Sequence, residues 1–139
     1  MPRTDAILDT DVLVDVLRAR PEALAWLESQ PAAALGIPVI TWMELIQGAR
    51  DRGEQERIVS RLSAHSIVHI ESGDPQLASA WFATYWLSHK VGILDCLIAA
   101  IAVRVGAPLY TFNTAHFRVI PGLDVRSPYQ RAENSGTEE

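Results

Sequence analysis

Cysteine is almost absent from this 139-residue sequence. Cys96 stands alone, so no internal disulfide can form and no zinc site can be built mainly on thiolates. Long apolar runs are missing too, because Pro, Gly, Ser or Gln interrupts each one well short of the roughly 20 residues of a membrane-spanning helix. No basic start leads into an apolar stretch and a small-residue cleavage site, so a secretory leader is not expected and the chain reads as cytoplasmic. Lysine is equally scarce, since 11 of the 12 basic residues are Arg and only Lys90 is Lys. Against 17 acidic residues the formal charge is −5, which excludes casual binding of a polyanion. Such a partner needs either a local arginine face or a metal ion that offsets carboxylates. What the sequence does have is apolar content, 48%, enough for one core and one domain. Composition turns polar at Gln130, so residues 1–129 are expected to form the domain and 130–139 a disordered tail.

Strand and helix patterns alternate along the chain. Ala6-Ile7-Leu8-Asp9 reads as a short strand, and Val12, Leu13, Val16 and Leu17 recur at helical spacing with Asp11 as a candidate N-cap and Asp15 as a solvated residue one turn on. Pro21 opens a second helix. Gly36 to Thr41 reads as a buried strand and Trp42 onward as a helix. Ser66 to Ile70 is a third strand, Asp74-Pro75 opens a long helix, and Leu94 to Val103 is apolar on nearly every face, as a central helix would be. Leu109 to Phe112 is a fourth strand, Asn113 to Phe117 a turn, and Leu123 to Val125 a short fifth strand. This order predicts an α/β three-layer fold, with a parallel sheet of four to five strands covered by helices on both sides.

Three acids sit among apolar neighbours: Asp9 after Ala-Ile-Leu, Glu44 between Met43 and Leu45, and Asp95 between Leu94 and Cys96. In an open parallel sheet, the strand ends and following helix starts face one crevice, and Asp9, Glu44, Asp95 and Asn113 all fall at that edge on this reading. Clustered carboxylates repel, so they hold protons or share a cation. Hard oxygen donors with no thiol or close histidine pair point to Mg2+ or Mn2+, and such an ion at a phosphodiester suggests hydrolysis. Each acid also has a plain structural reading: a first-turn acid is favoured by the helix dipole, and Asp9 or Asp11 can simply cap a helix. The common edge is what favours chemistry. His65, His69 and His89 read as ordinary histidines, whereas His116 lies three residues after Asn113, next to the proposed edge.

Leu8-Asp9-Thr10-Asp11-Val12-Leu13, Thr41-Trp42-Met43-Glu44-Leu45 with Gly48, Leu94-Asp95-Cys96-Leu97-Ile98-Ala99-Ala100, and Thr111-Phe112-Asn113 with His116-Phe117 and Pro121-Gly122-Leu123 occur in order. In these the chain resembles the PIN-domain family, and within it the VapC-type toxins of bacterial toxin–antitoxin pairs. The resemblance implies a Mg2+- or Mn2+-dependent endoribonuclease in which Asp9, Glu44 and Asp95 hold the metal and align a water. Thr10, Thr41 and Thr111 would support them through hydrogen bonds. It also implies an RNA substrate, a homodimer and a VapB-type antitoxin that places a basic side chain in the acidic pocket. Asp11 stands where relatives usually carry Asn, and Asn113 and His116 stand where many carry acids, so a single tightly held ion is expected. Two alternatives remain. One is a catalytically silent PIN domain that binds protein or RNA. The other is a haloacid-dehalogenase-type phosphatase opening on Asp9-Thr10-Asp11, although that family's downstream Lys and late acidic pair are not matched.

Overall fold

The structure is a computed structural model that describes residues 3–30 and 34–131. Among them the chain forms β1 (Ala6–Leu8), α1 (Thr10–Leu17), α2 (Pro21–Ser29), β2 (Leu35–Pro38), α3 (Val39–Gln47), α4 (Arg52–Leu62), β3 (Ser66–Val68), α5 (Asp74–His89), α6 (Ile93–Val105), β4 (Leu109–Tyr110), α7 (Thr114–Phe117) and β5 (Val125–Arg126). The five strands are all parallel, in the order β3-β2-β1-β4-β5. This is the expected α/β architecture.

Strand β1 is fully buried, and its side chains alternate between the two faces of the sheet. Ile7 joins Trp81, Ile98, Ile101, Leu109 and Phe117 beneath α5 and α6, whereas Ala6 and Leu8 join Leu13, Leu35, Ile37, Leu45 and Leu62 beneath α1 to α4. Helix α6 buries Cys96 and every residue from Ile98 to Ala102, as its uniform apolarity predicts, and Gly106 ends it at φ 76°. Gly36 is required by close approach, since a Cβ there would stand 2.8 Å from Thr4 Cγ2 and from Val68 Cγ2.

The boundaries differ from the sequence reading in one informative place. The β-branched run Val39-Ile40-Thr41 looks like strand, yet the sheet ends at Pro38 and α3 begins at Val39. Packing against α1, α4 and α6 overrides the local preference. Glu44 therefore lies in the second turn of a helix rather than at a strand-to-helix junction, and Met43 beside it is exposed, not buried. Arg131 packs against the domain instead of beginning a free tail. Residues 132–139 lie outside the described residues. No described helix is long and apolar enough to cross a membrane.

Candidate active site

Strands β1 and β4 are neighbours in space but lie on opposite sides of the order reversal, so their carboxyl ends bound the crevice where open α/β sheets bind ligands. Leu8 hands the chain to Asp9, which caps α1. One carboxylate oxygen, Oδ1, accepts the Thr10 N–H at 2.8 Å, and Oδ2 accepts the Thr111 hydroxyl at 2.8 Å. The cap is thus Asp9, not Asp11. Thr111 follows β4 and is fully buried; its oxygen in turn accepts the Asn113 N–H at 3.0 Å, which polarises the hydroxyl toward Asp9. Asp11 Oδ2 accepts the Phe112 N–H at 3.1 Å and lies 3.3 Å from the Thr111 hydroxyl. Its Oδ1 is buried without a hydrogen-bond partner.

Asp9 is only 8% exposed. Burial first, then the charge of Asp11 and more weakly that of Asp95, push its pKa up from 3.8 to about 6, although the Thr111 and Thr10 hydrogen bonds pull the other way. Burial raises Asp11 as well, against the opposing pull of the Phe112 N–H, Thr111 and Arg131. The pocket is therefore short of positive charge.

The other two acids approach from α3 and α6. Thr10 donates its hydroxyl to Glu44 Oε1 at 2.6 Å, which ties Glu44 to the residue next to Asp9. Asp95, in the first turn of α6, meets His116 Nε2 of α7 at 2.9 Å through Oδ2. Glu44 and Asp95 share an apolar groove of about 520 Å³ with Phe82, Trp86, Ile93 and Leu94. Glu44 and Thr10 also line a larger cleft, about 1050 Å³, between α1, α3 and α4, which carries Arg18, Arg50, Arg57 and Arg61. Arg50 is engaged by Glu54, and Arg61 donates to the Leu17 carbonyl.

The structure thus links Asp9 to Asp11 through Thr111 and Glu44 to Thr10, and it brings Asp95 against His116. Asn113 precedes α7 and gives it no side-chain cap; its carbonyl accepts the His116 N–H at 3.1 Å while its own N–H goes to the Thr111 hydroxyl. Thr41 differs from expectation. It is fully buried in the first turn of α3, and its hydroxyl reaches no hydrogen-bond partner, so it supports none of the acids. Among the described residues no three carboxylate, imidazole or thiolate groups converge into a ready-made metal cage. Asp15, expected to be solvated, is instead 2% exposed and held by Tyr129, Arg131 and Arg20. Its place between Val14 and Val16 and the nearby Arg20 were the available signals; Tyr129 and Arg131, more than a hundred residues downstream, left none.

Comparison with known proteins extends over nearly the same span. The PIN domain family model matches residues 6–123. The chain is 31% identical to Ribonuclease VapC10 of Mycobacterium tuberculosis over 121 residues, covering 84% of this chain and 89% of the relative. It is 29% identical to Ribonuclease VapC19 of the same organism over 126 residues, covering 88% and 98%. Among solved structures, a toxin–antitoxin complex from Klebsiella pneumoniae superposes with a TM-score of 0.76 at 32% identity, covering 91% of this chain and all of that one.

Proposed function

The chain belongs to the PIN domain family, and from that premise we propose that it is a divalent-metal-dependent endoribonuclease, the cytoplasmic toxin of a VapBC-type pair. Family membership removes the phosphatase reading. The observation that carries the proposal is the unneutralised Asp9–Asp11 pair at the β1–β4 edge, with one buried carboxylate oxygen left unpartnered. Hard oxygen donors, mutual repulsion and an orphaned acceptor fit Mg2+ or Mn2+.

Asp9, Glu44 and Asp95 would hold that ion, which when bound supplies charge neutralisation and a more acidic water. The chain's own residues do the aiming. Thr111 and the Thr10 N–H orient Asp9, the Thr10 hydroxyl orients Glu44, and His116 orients Asp95. Arg18, Arg57 and Arg61 line the cleft beside Thr10 and Glu44, where they can meet RNA phosphates and relieve the −5 charge locally. A cognate VapB-type antitoxin that inserts a basic side chain would satisfy the same charge deficit. The exposed apolar face around Leu87 (82% exposed), Ile93 and Leu94 suits a homodimer contact.

The alternative, a silent PIN domain that only binds, is favoured by the absence of a closed metal cage among the described residues. Purified protein incubated with RNA separates the two. Cleavage that requires Mg2+ or Mn2+ and stops with a chelator supports the nuclease. No cleavage with either ion, together with no growth arrest on expression, supports the binding module.

A further inference from the structure

The segment after β5 returns across the site. Arg131 grips the buried carboxylate of Asp15 with a fork, Nε to Oδ2 at 3.1 Å and Nη2 to Oδ1 at 3.2 Å, while Tyr129 donates its hydroxyl to the same carboxylate at 2.8 Å. Asp15 stands one helical turn beyond Asp11 on α1, so this grip carries the guanidinium over the turn that bears Asp11. Its Nη2 lies 3.4 Å from the Asp11 carbonyl oxygen. The other face of the guanidinium stacks on Phe112 at 4.0 Å from the ring centroid, and Tyr129 packs edge-on against the same ring at 5.1 Å. Phe112 is thus held between two residues of the returning chain, and its backbone N–H is the donor that fixes Asp11 Oδ2.

We propose that Arg131 and Tyr129 are positioning residues for the acidic site, a clasp between the C-terminal segment and α1 that keeps the Thr111–Phe112–Asn113 loop aimed at Asp9 and Asp11. The proposal rests on the nuclease reading for its catalytic consequence but not for the clasp itself. A guanidinium is required at this position because one planar group must satisfy a carboxylate in two places and lie flat on an aromatic ring. An ammonium can do neither. Regular structure on either side of the loop is short, β4 two residues and α7 four. Thr111 is anchored by its N–H to the Arg126 carbonyl and its hydroxyl to Asp9, so the Phe112 ring is the part that the returning chain holds.

Two measurements on full-length Arg131→Ala, Arg131→Lys and Tyr129→Phe test this. Amide hydrogen exchange followed by NMR should show the Phe112 and Asn113 amides exchanging about tenfold faster in Arg131→Ala, with Ile7 and Leu109 unchanged. RNA cleavage at saturating Mg2+ should show kcat reduced by about tenfold with KM altered by less than about twofold, because orientation and not substrate contact is lost. Arg131→Lys should resemble the alanine variant, and Tyr129→Phe should fall between it and the wild type. Uniformly faster exchange throughout the protein, unchanged exchange at Phe112, or an unchanged kcat in an active enzyme would each overturn the proposal. Should the wild type cleave no RNA, the nuclease reading fails, and the exchange pattern still decides whether the clasp exists.

Discussion

Two kinds of buried carboxylate coexist in this small domain. Asp15 and Asp74 are each 2% exposed and each has a resident guanidinium: Arg131 with Arg20 for the first, and for the second Arg104, whose Nε lies 3.0 and 3.1 Å from the two oxygens. Asp74 also accepts the Glu71 N–H, and Arg104 continues to the His69 carbonyl, so that node fastens α5 to α6 and to the connection after β3. Asp9 has hydroxyl and amide donors instead and feels the charge of Asp11, whose own carboxylate is bonded by a hydroxyl and an amide and meets Arg131 only as a nearby charge, not in an ion pair. The contrast separates structure from chemistry. A buried acid neutralised within the chain is a fastening, whereas one left unneutralised at the open edge of a sheet is held ready for a cation from outside.

The largest effect expected is on the unneutralised side. Asp9→Asn and Asp95→Asn should each lower metal-dependent RNA cleavage by roughly three orders of magnitude, about 4 kcal/mol of transition-state stabilisation, while circular dichroism stays native. Retention of a tenth or more of wild-type cleavage by either purified variant removes it from the catalytic set. On the neutralised side the loss should be of fold. Arg104→Ala leaves Asp74 buried without its partner and should cost about 3 kcal/mol in urea denaturation. A cost below about 1 kcal/mol would make that pair an ordinary surface bridge and blur the distinction.

A third test reverses the sign between the two regions. Asp9 titrates near 6 in the folded chain against 3.8 as its reference, so between those values the native state binds more protons than the unfolded one. The stability owed to its neutral form is complete below about pH 3.8 and is lost as the pH rises through about 6. Metal-free Asp9→Asn should therefore be more stable than wild type at pH 7.5, by about 2–3 kcal/mol, with the gain disappearing below pH 4. A destabilised Asn variant at pH 7.5 would place Asp9 among the fastenings. The smallest effect belongs to Thr10→Val, which removes the 2.6 Å bond to Glu44. It should cost about 1 kcal/mol, read as a severalfold fall in kcat at little change in thermal midpoint.

How much of this was legible beforehand follows the reach of each interaction. Signals carried by neighbouring residues were readable: the Asp74-Pro75 helix start, the α6 run of apolar residues, and the alternation of short strands with helices. Asp9, Glu44 and Asp95 stood out because each breaks an apolar context. The start of α3 is not legible locally, because Val39-Ile40-Thr41 prefers strand and is turned into helix by what packs around it. The Asp15 fastening was invisible apart from the nearby Arg20, because Tyr129 and Arg131 are 114 and 116 residues away at the edge of a segment whose composition reads as unpacked. The orphaned hydroxyl of Thr41 has no physical account in the structure.

The bond from Thr111 to Asp9 joins residues 102 positions apart, and β1 pairs with β4 over the same gap. At a synthesis rate of about 5–20 residues per second, Asp9 waits some 5–20 s for the hydroxyl that aims it. A nascent or prematurely ended chain that stops before β4 lacks one wall of the crevice entirely. The topology therefore acts as a timer: a protein proposed to cut RNA cannot assemble its own cutting edge until the hundred or so residues between β1 and β4 have been made.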